Sequence, residues 1–143
     1  MQKLGEVVGD TAQQLSISYR QHTLDESRRI HREVVQKFTT LQHEPFWLWE
    51  HLNDAVAVRN GEGWRWISEF ETQEAILFFF NSHDEEIIFE FQRMSDIVTV
   101  LEETQHFEFY LCDRSCTYLL CFNHHDYLIA SGVAKDWLGA RLG

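Results

Sequence analysis

The feature that most restricts this chain is the spacing of its apolar segments after residue 75. Residues 75–80, Ala-Ile-Leu-Phe-Phe-Phe, are apolar throughout and strand-length. Residues 107–112, 117–122 and 127–131 are three further strand-length and largely apolar segments, joined by Asp113-Arg114-Ser115 and by residues 123–126. Links this short connect only antiparallel neighbours, because a parallel crossover needs a dozen or more residues. The 75–80 run predicts a central strand covered on both faces. In residues 86–91, Ile87, Phe89 and Phe91 alternate with Glu86 and Glu90, which predicts a strand with one wet face.

Helical periodicity dominates the earlier part. Leu4, Val7, Val8, Ala12 and Leu15 suit a helix over 4–15, weakened by Gly5 and Gly9. Thr23 is placed to cap a second helix running to about Thr40, with Asp25 and Glu26 in its first turn. Its apolar stripe is Ile30, Val34, Phe38 and Leu41, widened by Val35. Pro45 opens a short helix over 46–52, and residues 55–59 read as a short strand. Asn60-Gly61-Glu62-Gly63 is a turn. Trp66, Ile67 and Phe70 then share the face of a short helix over 64–70. Ser95 is placed to cap a helix with apolar face Ile97, Val98 and Leu101, and a last short helix covers 135–138 after Gly132.

The predicted fold is α+β: an antiparallel sheet of about five to six strands, with the N-terminal helices and one inserted helix packed on it. At 143 residues with 44% apolar composition, a single domain over 1–143 buries a proper core. Residues 1–43 form its helical part and 54–132 its sheet. Strands do not alternate with long helices as a doubly wound α/β fold requires. No apolar run approaches the ~20 residues of a membrane span, and the first six residues lack the core of a secretory signal. A soluble cytoplasmic protein is the expectation.

Charge narrows the choice of partner. The net charge is −11. Residues 1–43 carry six basic and five acidic side chains, whereas 44–110 hold fifteen acidic residues against Arg59, Arg65 and Arg93. Three clusters stand out: Glu69, Glu71 and Glu74; Asp84, Glu85 and Glu86; Glu102 and Glu103. Such a region repels a phosphate backbone and anionic lipid, which argues against nucleic acid and membrane surfaces. It suits a basic protein partner, since complementary charge raises encounter rates and selects among partners. Acidity that serves solubility alone is the alternative.

Three constellations could carry chemistry. Cys112, Cys116 and Cys121 with His124 have a spacing that invites zinc, but strand alternation between Cys116 and Cys121 predicts opposite faces, so no metal or cofactor is expected. Asn123-His124-His125-Asp126 places a carboxylate beside an imidazole, and His125 with Asp126 could serve a small hydrolase or transferase as general base. Adjacent turn residues rarely converge on one substrate atom, however, and hairpin-forming Asn and Asp explain both this segment and Asn81-Ser82-His83-Asp84. The pairs Trp47/Trp49 and Trp64/Trp66 suit an interface or an aromatic ligand pocket. Trp47 and Trp66 are expected in the core; Trp49 and Trp64 are expected to be partly exposed. Phosphate-loop, nucleophile-elbow and His-Glu-x-x-His motifs are absent from the sequence.

The later half, from Trp64-Arg65-Trp66-Ile67 through the Phe-rich hairpin to Tyr118-Leu119-Leu120-Cys121-Phe122-Asn123-His124-His125-Asp126 and Gly132, resembles small bacterial domains of unassigned function. Some immunity proteins of toxin–immunity systems are similar in size, acidity and α+β layout. The likeness covers about the last 80 residues, leaves out the first 40, and transfers no catalytic residue. It implies a cytoplasmic inhibitor that occludes a toxin, often a basic nuclease. The expectation is therefore a non-enzymatic binding module, presenting the three acidic clusters with Trp49 and Trp64 to a basic protein.

Overall fold

The structure, a computed structural model, describes residues 3–104 and 107–143. Its framework is one antiparallel sheet of seven strands: β1 (Arg20–Gln21), β2 (Val56–Arg59), β3 (Ile76–Phe79), β4 (Phe89–Phe91), β5 (Phe109–Cys112), β6 (Tyr118–Phe122) and β7 (Tyr127–Gly132). Their order across the sheet is β1-β4-β3-β5-β6-β7-β2. The α+β class is as expected, but there are seven strands rather than five or six. The additional strand is β1, two exposed residues paired with Phe89 and Glu90. With neither side chain buried, it carries no apolar alternation and is specified by its neighbour.

Helices cover both faces. α1 (Leu4–Gln14), α3 (Met94–Glu102), α4 (Val133–Leu142) and a 3-10 helix, Gly63–Glu69, pack on one side of the sheet against Phe78, Phe91, Phe109, Leu120 and Leu128. α2 (Leu24–Phe38) and a 3-10 turn, Leu48–His51, pack on the other, against Leu77, Phe79, Tyr110, Leu119 and Ile129. The two N-terminal helices thus lie on opposite faces, and the strands between them are apolar on both. Successive residues of β3 alternate accordingly: Ile76 and Phe78 face one layer, Leu77 and Phe79 the other.

Local chemistry explains most boundaries. Thr23 forms a full capping box with Glu26, and Ile30, Val34, Val35 and Phe38 of α2 are buried. α1 tolerates its glycines because Gly5 lies where a Cβ would press on Phe89 and Glu85. In α3 the cap position is Arg93, not Ser95, which sits inside the first turn and accepts a hydrogen bond from the Thr99 hydroxyl through its carbonyl. β7 passes into α4 with no loop at all. Gly132 makes that turn at φ +67, where a Cβ would collide with the Thr117 carbonyl oxygen. α4 consequently starts at Val133, and is longer than the short helix expected.

Three sequence expectations about facing are corrected. The strand foreseen over 86–91 forms only at Phe89–Phe91, and its foreseen wet face is partly covered. Ile88 is buried against α2, its N–H donating to Ser27 Oγ. Glu90 is half-buried beside His22, and Glu86 remains at the surface in a pair with Arg28. Trp64 is buried rather than partly exposed, and Trp66 is half-buried rather than core. The reason is the period. In a 3-10 helix residues three apart eclipse, so Trp64, Ile67 and Phe70 share the inner face. Cys116 and Cys121 lie on the same side of the sheet, because Cys116 has φ +54 in the turn before β6 and escapes strand alternation.

Candidate functional site

Four separate segments meet at one end of strands β3, β5, β6 and β7. Asn81 follows β3, Glu108 precedes β5, His124 sits in the β6–β7 turn, and residues 46–49 lead into the 3-10 turn. Glu108 is the centre. Its Oε1 accepts the backbone N–H of His124 at 3.0 Å and the His124 Nδ1–H at 2.9 Å, while Oε2 accepts from the Asn81 side-chain amide. Asn81 Oδ1 in turn accepts the Tyr110 hydroxyl at 2.7 Å, and the same hydroxyl accepts the Trp49 backbone N–H at 3.2 Å. Burial pushes the Tyr110 phenol far above its ordinary range, so it remains a neutral donor.

This network positions a string of rings. Glu108 and Asn81 are buried, whereas the His124 side chain is 43% exposed. With Nδ1 bonded to the carboxylate, Nε2 is the free nitrogen. His124 lies 4.1 Å from His125, 5.2 Å from Trp47 and 5.8 Å from Trp49, centroid to centroid. Trp47 stacks on Trp49 at 6.0 Å and meets Phe46 at 5.3 Å. Phe46, 63% exposed, stacks flat on His83 at 3.6 Å. Trp47 is therefore half-buried in this platform rather than in the core, and Trp49 is half-buried, close to its expected partial exposure.

His125 and Asp126 are both exposed, and the carboxylate that holds an imidazole is Glu108 rather than Asp126. Asp126 serves the turn, at φ +64, with Asn123 Oδ1 accepting the N–H groups of His125 and Tyr127. A second oriented imidazole lies on the α2 side. His31 Nδ1 is 2.8 Å from Glu44 Oε1 and 3.3 Å from Ser82 Oγ, and its ring packs edge-on against Phe79. Burial would raise Glu44, but the bonds from His31 and Ser82 outweigh it and hold the carboxyl below its ordinary range.

The acidic clusters do not assemble into one surface. Glu69 is bound by Arg141 and Glu102 by Arg65, on the side of α3 and α4; Glu86 is bound by Arg28, on the α2 side. Glu74 accepts the Ser115 hydroxyl. Glu85 is half-buried and accepts the Ile87 N–H; Glu71, Asp84 and Glu103 are exposed. Asp84 adjoins the ring platform through His83.

Sequence reading missed Glu108, because its partners are distant in sequence. A faint signal existed: within 107–112 it is the one charged residue in a strand-like apolar run. Among the described residues no group of three or more His, Cys, Asp or Glu side chains could hold a metal ion. Cys112, hydrogen-bonded to Cys116 and buried, and Cys121, buried, are both held well above the ordinary thiol range. No helix among the described residues is long and apolar enough to cross a membrane.

The chain belongs to the family of unknown function DUF6756, whose model matches residues 1–138. The match takes in the N-terminal helices along with the sheet. No curated protein and no solved structure matches the chain.

Proposed function

We propose that this member of the family is a protein-binding module that docks a basic partner on the platform of Phe46, Trp47, Trp49, His83, His124 and His125. The observation that carries this reading is Phe46: a phenyl ring 63% exposed, yet held flat against His83 and continuous with two tryptophans and two further histidines. Aromatic side chains held in place before binding add contact area at little entropic cost, and interface hot spots are enriched in them. Exposed Glu50 and Asp84, adjacent in sequence to platform rings, supply negative charge at its edge. That combination suits arginine and lysine, which pair with carboxylates and lie over aromatic faces.

A toxin domain with a basic face, occluded by an immunity-type inhibitor, is the partner class that the sequence likeness adds. The partner surface is then the ring platform with its acidic rim, rather than Glu69, Glu74 and Glu102, which already have partners within the chain. The test is affinity capture at low salt with the wild-type protein and with a Phe46→Ala/Trp47→Ala variant, followed by binding of the purified candidates. A basic protein that binds the wild type at least tenfold more tightly than the variant is expected. Equal binding to both would refute the platform as the docking surface.

Glu108–His124 also favours a second reading, a hydrolase or transferase with Nε2 of His124 as general base. Among the described residues the hydrogen-bond and ring partners of His124 are Glu108, Trp47, Trp49 and His125, and none of these is a hydroxyl or thiol nucleophile. His124→Ala would separate the readings, since loss of a hydrolytic activity with partner binding intact would select the enzyme.

A further inference from the structure

We propose that a cleft between α2 and the segment 42–44 is a binding site for a small metabolite bearing a carboxylate or phosphate group, with Arg32 as its anchoring cation. The cleft encloses about 370 Å³, at the small end of ligand-site sizes, and is separate from the residues of the ring platform. One wall is a single face of α2, where positions 28, 31, 32, 35 and 36 recur at helical spacing. The opposite wall is the chain at Gln42 and His43, with Ser82 and Glu86 closing the end.

Charge pairing inside the cleft decides which ligand it suits. Both of its carboxylates are already engaged. Glu86 takes the Arg28 guanidinium through two bonds, at 2.7 and 3.4 Å, and Glu44 is held by His31 at 2.8 Å. Arg32 and His43 are exposed at the cleft and make no hydrogen bond or ion pair among the described residues. An uncompensated guanidinium therefore faces the cavity of a protein whose net charge is −11. Its planar fork matches a carboxylate or phosphate in two parallel bonds. Gln36 and Gln42 add neutral donors and acceptors on either wall, and the buried Val35 gives an apolar patch for the ligand's carbon skeleton.

The paired carboxylates also set a limit. Glu44 and Glu86 would repel a ligand with several adjacent charges, so the site suits one oxyanion group rather than a polyphosphate. His31 ties α2 to Glu44 and to the Glu86 carbonyl, at 3.2 Å, which keeps the two walls in register before a ligand arrives.

Amide NMR titrations at fixed ionic strength, with inorganic phosphate in one arm and acetate in another against a chloride control, test this directly. Saturable shifts on α2 and residues 42–44 are expected, and the arm that saturates at lower concentration identifies the oxyanion. Arg32→Gln should weaken that binding at least tenfold, whereas Arg29→Gln, exposed on the same helix but outside the cleft, should leave it within twofold. Because both residues are exposed, the amide spectra will show whether each variant keeps its fold. Shifts matched by chloride, or lost equally in both variants, would overturn the site. Neither result depends on a partner at the ring platform.

Discussion

One oxygen of Glu108 receives two hydrogen bonds from His124, one from its backbone N–H at 3.0 Å and one from its ring at 2.9 Å. The carboxylate is thus both the anchor of the β6–β7 turn and the group that sets the tautomer of an exposed imidazole. Glu108→Gln preserves the shape but turns an amide NH2 toward either His124 or the Asn81 amide, where donors already stand. A buried donor left opposite a donor costs about 1–3 kcal/mol. Urea denaturation should show that loss, and the His124 ring resonances should lose their single tautomer. Unchanged stability would refute the acceptor role.

The 3-10 period predicts unequal tryptophans. Trp64→Ala empties a buried site and should cost about 3–5 kcal/mol. Trp66 is half-buried beneath the Arg141 guanidinium, 3.8 Å from its ring centroid. Its removal forfeits a partly solvated cation–π contact worth about 0.5–1 kcal/mol and only part of a side chain's burial. Chemical denaturation of the two variants should therefore rank Trp64→Ala as clearly the more damaging; the reverse order would restore the α-helical face.

Gly132→Ala tests the strand-to-helix junction. The backbone there has φ +67 and ψ −144, a region that only glycine enters freely, and the new methyl would meet the Thr117 carbonyl. We expect a loss of more than about 2 kcal/mol from this strain, seen as a lower urea midpoint. Gly139→Ala, where nothing crowds the added methyl, serves as the control and should be neutral or stabilising.

Glu44 predicts one limb of the acid response. Its folded-state carboxyl lies below the ordinary value of 4.5, so more protons bind the unfolded chain. The stability it contributes is present in full above about that pH and is lost as pH falls through the lowered folded value. Urea midpoints measured from pH 7 to pH 3 should fall less steeply in Glu44→Gln than in the wild type. Parallel curves would remove Glu44 from the linkage.

Capping chemistry gives a smaller effect. Thr23→Ala removes the side-chain acceptor of the Glu26 N–H at the start of α2 and should cost about 1 kcal/mol. Thr23→Ser, which keeps the hydroxyl, should recover most of it in the same thermal melt.

Much of this architecture is local and was legible as such. The Thr23 cap, the α2 stripe of Ile30, Val34 and Phe38, and the hairpins at 113–116 and 123–126 each depend on residues a few positions apart. What escaped was whatever depends on period or on distant partners. Trp64 and Trp66 exchanged places because three residues per turn replaced 3.6. β1 was invisible because two exposed residues carry no pattern of their own.

The sequence by itself determined an antiparallel α+β domain and a concentration of acidic charge in residues 44–110, because short links and composition need no knowledge of the fold. Tertiary structure alone decided where that charge is spent. Arg141, Arg65 and Arg28, remote in sequence, take up Glu69, Glu102 and Glu86, leaving at a cleft an Arg32 with no ion pair among the described residues, and a platform of rings around Glu108 and His124. Pairing falls off within a few ångströms, so only folding, which brings residues 58 or 72 positions apart into contact, selects which charges remain free to meet a partner.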